Sequence, residues 1–89
     1  MAESKEKQLC QLLAQLKTPE EVALLLEDLC TKKEVENMAE LIYAAGLLME
    51  GNTYNQVMER SNISSATLSR VSRCVQYGKG YARFLKKEK

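Results

Sequence analysis

Apolar residues recur along the chain at spacings of three and four, and no stretch of useful length alternates in twos. That pattern predicts an all-α protein. Leu9, Leu12, Leu13 and Leu16 form one stripe on an otherwise polar segment, predicting an amphipathic helix over about 4–17. Thr18-Pro19-Glu20-Glu21 restarts the chain: Thr18 can cap, Pro19 suits the first helical position and Glu21 completes a capping box. The second helix runs to about Leu29, with Val22, Leu25, Leu26 and Leu29 inward. Thr31-Lys32-Lys33-Glu34, a second capping box, opens a long helix that Gly51 ends.

That long helix carries two apolar stripes: Val35, Met38, Ile42, Ala45 and Met49, and beside them Leu41, Ala44 and Leu48. So wide an apolar surface exceeds what one neighbour in a small monomer would cover. It is expected to be both the central helix of the domain and a surface shared with a second subunit. A third capping box, Thr53-Tyr54-Asn55-Gln56, opens a short helix to about Arg60 or Ser61. Ser61-Asn62-Ile63 breaks it, and Ser64 caps a helix to about Gln76, which Gly78 and Gly80 stop. Asn62 stands where many such turns use glycine, and asparagine tolerates a left-handed backbone. A last helix is expected near Tyr81 to Lys87.

The two helices of residues 53–77 have helix-turn-helix dimensions. Val57, Ile63, Leu68, Val71 and Val75 can share one small core that sets the crossing angle. Facing Leu68 and Val71 inward exposes Ala66, Ser69, Arg70 and Arg73, with Ser65 and Thr67 on the flanks. Tyr77 is expected to brace the motif.

Composition and charge narrow the picture. The 89 residues make one small domain, divided into dimerisation helices over about 1–51, the helix-turn-helix at 53–77, and a C-terminal helix with a basic tail at 78–89. The net charge of +1 hides an asymmetry: residues 1–59 hold five basic and eleven acidic side chains, residues 60–89 eight basic and one acidic. Such a basic third attracts phosphates. Short hydroxylic side chains at the start of the second helix allow close approach to base edges. Arg70 can reach a guanine edge or a phosphate, Arg73 a phosphate, and the amides at the helix start after Thr53 a backbone phosphate. The expected DNA-facing set is Thr53, Ser64, Ser65, Ala66, Thr67, Ser69, Arg70 and Arg73.

Cys10, Cys30 and Cys74 form no paired motif and the chain has no histidine, so no metal site is expected. Without histidine, a Gly-rich phosphate loop or clustered carboxylates, no catalytic machinery is expected. Residues 1–8 carry both charge signs with no apolar run behind them, and apolar runs such as Val22 to Leu26 are far too short to span a bilayer. The expectation is a cytoplasmic protein with reduced thiols and no membrane partner.

The run Ser65-Ala66-Thr67-Leu68-Ser69-Arg70-Val71-Ser72-Arg73-Cys74 resembles the recognition helix of the trp repressor superfamily. Leu29-Cys30-Thr31, Glu50-Gly51-Asn52-Thr53-Tyr54 and Tyr77-Gly78 bring it close to small trp-repressor-related proteins of the YerC/YecD type, over roughly residues 20–85. The resemblance implies about six helices in an intertwined homodimer, with two helix-turn-helix units on one side, binding double-stranded DNA as a transcriptional regulator, a repressor by analogy. It also raises L-tryptophan, the corepressor of trp repressor, held between the central and recognition helices. Arg70 matches that pocket's arginine on the recognition helix, whereas Cys74 stands in place of a serine. Where the central helix would supply a second arginine, the nearest positions are Glu40 and Leu41, and that helix has no arginine. An effector pocket would rest on Leu41, Arg70 and Cys74; the missing cation weighs against tryptophan, and no cofactor is expected to be required. The alternative reading is a helical interaction module, binding an acidic protein or nucleic acid without sequence preference.

Overall fold

The computed structural model describes residues 4–85, which contain six helices and no strand. The described residues divide into two compact units, with the boundary between Val35 and Glu36.

The first unit holds α1 (Lys5–Ala14), α2 (Pro19–Leu29) and the start of α3 (Lys32–Met49). Ser4 caps α1 by accepting the Lys7 amide at 3.0 Å. The helix stops before the expected Lys17 because the Gln15 and Leu16 amides bond three residues back, to the Leu12 and Leu13 carbonyls, and close a tight last turn. Thr18 caps α2 through the Glu21 amide at 3.1 Å, with Pro19 in the first turn. The reciprocal half of that capping box is displaced: the Glu21 carboxylate accepts the Lys17 amide at 2.8 Å, one residue before the cap. It therefore ties down the linker as well as the helix start. At α3 both halves of the box form, Glu34 amide to Thr31 hydroxyl at 3.0 Å and Thr31 amide to Glu34 carboxylate at 2.8 Å. Neither α1 nor α2 buries a residue completely, and Leu29, expected inward, is 52% exposed.

The second unit contains the rest of α3, then α4 (Tyr54–Arg60), α5 (Ser65–Tyr77) and α6 (Gly80–Phe84). α3 ends in a Schellman motif: the Asn52 amide bonds the Leu47 carbonyl at 3.1 Å and the Gly51 amide the Leu48 carbonyl at 3.0 Å. The Asn52 side-chain amide adds a second bond to the Leu47 carbonyl at 2.9 Å. Gly51 pivots the chain with φ of +100°. A β-carbon is strained there, so Gly51→Ala is expected to cost about 1–2 kcal/mol. Urea unfolding at fixed protein concentration checks this, with Gly51→Asn expected to cost less.

The core is built from Ala44, Leu47, Val57 and Leu68, with Leu48 and Ile63 packed against it. Ala45 and Val71 are buried too. Leu47 falls outside both expected stripes, while Ile42, expected within one, is 51% exposed. The reason is steric. α3 has apolar residues around most of its circumference, and the face met by α4 and α5 is the one centred on Ala44 and Leu47. Ser72, on the inner side of α5 beside Val71, is also buried.

α4 begins with a complete capping box, the Thr53 and Gln56 amides bonding each other's side chains at 2.8 and 3.2 Å. α5 ends at Tyr77 in an extended cap at Gly78, whose amide bonds the Cys74 carbonyl at 2.8 Å. A β-carbon on Gly78 would sit 2.6 Å from that carbonyl oxygen, so the close approach itself selects glycine. Gly80, expected to stop the helix, instead opens α6. The predicted extension to Lys87 and the basic tail lie outside the described residues. Asn62 takes no left-handed backbone, since no described residue other than glycine has a positive φ. Tyr77 is 80% exposed and does not brace the motif within the chain.

Candidate nucleic-acid interface

α4, the turn at Ser61–Ser64 and α5 form the helix-turn-helix. The turn is held from both ends. The Ser61 amide and hydroxyl both donate to the Val57 carbonyl, at 2.8 and 2.7 Å, closing α4. The Ser64 oxygen accepts the Thr67 amide at 3.2 Å and its hydroxyl donates to Thr67 Oγ1 at 3.1 Å, opening α5. Ile63 lies between the two against the core. Leu68 and Val71 anchor the inner side of α5, and this sets which side chains face out.

Ser64, Ser65, Ala66, Ser69, Arg70 and Arg73 are exposed, and Thr67 is half-buried. Thr53 is exposed at the start of α4. The structure thus brings Ser65, Ala66, Thr67, Ser69 and Arg70 onto the first two turns of α5, with Ser64 at its cap and Arg73 a turn further on. Among the described residues no ion pair or side-chain hydrogen bond occupies the guanidinium of Arg70 or Arg73. The first α5 amides have no partner within the helix and add partial positive charge at the same end. The surface can accept an anion along its arginines while its hydroxyls exchange hydrogen bonds with a polar edge. At α4 the Thr53 hydroxyl is already committed to the Gln56 amide.

Between α3 and the start of α5 lies an open recess of about 260 Å³, lined by Asn37, Leu41, Asn62, Ile63, Ser64, Thr67 and Arg70. Two of the three expected effector-pocket residues, Leu41 and Arg70, meet there. Cys74 does not join them; it lines a separate recess with Gly78, Gly80, Tyr81 and Phe84. Helical side chains lean toward the helix N-terminus, which directs Arg70 toward Thr67 and away from the following turn. Opposite Arg70, α3 presents Asn37 and Leu41, so a carboxylate bound there would meet a single cation. No three His, Cys, Asp or Glu side chains gather as a metal site among the described residues. No described helix is long and apolar enough to cross a membrane.

One contact was invisible to sequence reasoning. The Glu40 carboxylate of α3 accepts the Asn62 amide in the middle of the turn, at 3.0 Å and across 22 positions of chain. Charge patterning alone would assign Glu40 to the solvated surface. At α6, Arg83 lies 5.5 Å from the centroid of the Phe84 ring, a cation–π geometry.

Comparison with known proteins agrees with this geometry. The family model of the Trp repressor protein matches residues 4–89. The uncharacterized protein YerC of Bacillus subtilis is 41% identical over 71 residues, 80% of this chain and 68% of that protein. The crystal structure of a TrpR-like protein from Eubacterium eligens superposes with a TM-score of 0.81 at 37% identity, covering 86% of this chain and 80% of the other. A presumptive Trp repressor from Staphylococcus aureus gives a TM-score of 0.86 at 29% identity, with 94% and 85% of the two chains covered. An all-helical fold, a helix-turn-helix and a match over nearly the whole chain place this protein in the Trp repressor family.

Proposed function

We propose that the protein is a sequence-specific DNA-binding transcriptional regulator, a repressor, acting as a homodimer in the cytoplasm. The observation that carries the reading is the exposed, acid-free face of α5, where Ser65, Ala66, Ser69 and Arg70 stand outward on a helix anchored by Leu68 and Val71. In this reading Ser65, Thr67 and Ser69 address base edges, Arg70 a guanine, and Arg73, Ser64 and the start of α4 at Thr53 the phosphates. Membership of the family supports the same function. Two-fold pairing is supported by the apolar side chains that α1, α2 and α3 leave exposed, Leu9, Leu12, Leu24, Leu29 and Ile42 among them. A two-fold dimer reads two half-sites about 34 Å apart.

DNA binding in this reading needs no corepressor. The recess behind α5 offers an amino-acid carboxylate only Arg70, and Leu41 faces it from α3. Selection of bound fragments from random duplex DNA, competed at near-physiological salt, tests both parts. The expected result is a palindromic motif enriched equally with and without L-tryptophan, since a ligand lacking differential affinity shifts no equilibrium. An unenriched, strongly salt-sensitive pool would overturn the regulator in favour of a non-specific nucleic-acid module. Enrichment only with tryptophan or another amino acid would overturn the corepressor-free reading.

A further inference from the structure

We infer that Glu40 is the positioning residue of the DNA-reading head: by holding the Asn62 amide it sets the turn, and through the turn the approach of α5 to DNA. This rests on the reading of α5 as a recognition helix. The hydrogen bonds that cap the helices join residues three to five positions apart and shape each helix separately. The Glu40 bond instead reaches from α3 to the only part of the helix-turn-helix that belongs to neither of its helices. Asn62 is the first residue after the α4 cap, and Ser64, two residues on, caps α5. Its amide points out of both helices, so without Glu40 only water would receive it.

The geometry around Glu40 shows why this strap matters. Along α3, Asn37 and Leu41 wall the recess against Thr67 and Arg70, while Ala44 and Leu47, one and two turns on, sit in the core with Val57 and Leu68. The core fixes the inner side of α5 near Leu68. The N-terminal turn, which carries Ser65 and Ala66, follows Ile63 on the core and borders the open recess through Ser64 and Thr67. Half-buried Glu40 adds a polar tie from α3 to Asn62, which itself lines the recess, beside the apolar contact that Ile63 makes with the core.

Electrostatics makes the test decisive in sign. Beside DNA a carboxylate repels phosphates, so removing it for charge alone would tighten binding. Positioning predicts the opposite for Glu40→Ala. Glu40→Gln keeps an oxygen able to accept the Asn62 amide while removing the charge. The experiment measures affinity for a selected operator fragment at fixed salt for both variants, together with amide exchange at Asn62 by NMR on the protein without DNA. Expected are affinity about five-fold weaker for Glu40→Ala, matching the loss of one hydrogen bond, and affinity at or above the parent for Glu40→Gln. Asn62 exchange should accelerate in the alanine variant, with the exchange of Leu68 and Val71 unchanged. Parental or tighter binding by Glu40→Ala would overturn the inference, as would a glutamine variant as weak as the alanine one. Should the protein select no DNA sequence, it is the regulator reading that fails; unchanged Asn62 exchange in Glu40→Ala would show separately that the strap itself is absent.

Discussion

Replacing Leu68 with alanine is expected to destabilise the protein by about 2–5 kcal/mol, the range for truncating a buried leucine. Leu68 has no exposed surface and meets Ala44, Leu47 and Val57 at the junction of α3, α4 and α5. Few other large side chains are available to close the gap. Val57 and Val71 are the only other large ones so completely enclosed among the described residues, and Val57 is already committed to the same small core. Collapse around the lost methyls would drag α5 toward α3 and move the outer face of α5 with it. For a domain of this length each kcal/mol lowers the unfolding midpoint by roughly 4–8 °C, so the variant should melt at least about 8 °C below the parent. Calorimetry or circular dichroism at one fixed protein concentration reads this, because association would otherwise contribute to apparent stability. Leu68→Met conserves volume and should stay within about 1.5 kcal/mol of the parent. Alanine and methionine variants of equal stability would mean that Leu68 is not the junction residue.

What could be read from the chain and what could not follows from the range of the interactions. Helix starts were legible because capping is chemistry among residues three apart. Thr18, Thr31, Thr53 and Ser64 each receive the amide expected of them. The outward set on α5 was legible for a related reason. Once Leu68 and Val71 point inward, helical geometry alone turns Ser69 and Arg70 away from them. Sequence periodicity became silent on α3, where apolar residues on nearly every face leave Leu47 and Ile42 equivalent until a neighbour chooses between them. It was also silent on Cys74, which shares a helix face with Arg70 by spacing but lies beyond the turn toward which Arg70 leans. Glu40 is the extreme case. Its partner is a backbone amide 22 positions away, and no side-chain pattern records that a peptide group will be left without a bond.

Arg70 carries the largest expected effect on function. Its side chain is exposed on the second turn of α5, unpaired among the described residues, and between Ser69 and the half-buried Thr67 that faces the recess. If Arg70 reads a guanine edge, Arg70→Ala should lose about 1–3 kcal/mol of discrimination at a single base pair of each half-site, about five- to 150-fold in affinity per half-site and about the square of that for the two-site operator. Affinity for unrelated DNA should fall much less. Stability should be unchanged or slightly raised, because an exposed helical position is vacated for alanine, the best helix former. Arg73→Ala supplies the contrast. If Arg73, one turn further along, contacts the DNA backbone, its loss should weaken binding to every sequence about equally and reduce the salt dependence by about one counterion. Titrations of both variants against the selected operator and a scrambled duplex, at several salt concentrations, separate the two roles. Should Arg70→Ala weaken all sequences alike, Arg70 would be a phosphate contact and base reading would pass to Ser65, Thr67 and Ser69. Unchanged operator affinity would remove Arg70 from the interface and leave its guanidinium to the recess it shares with Leu41.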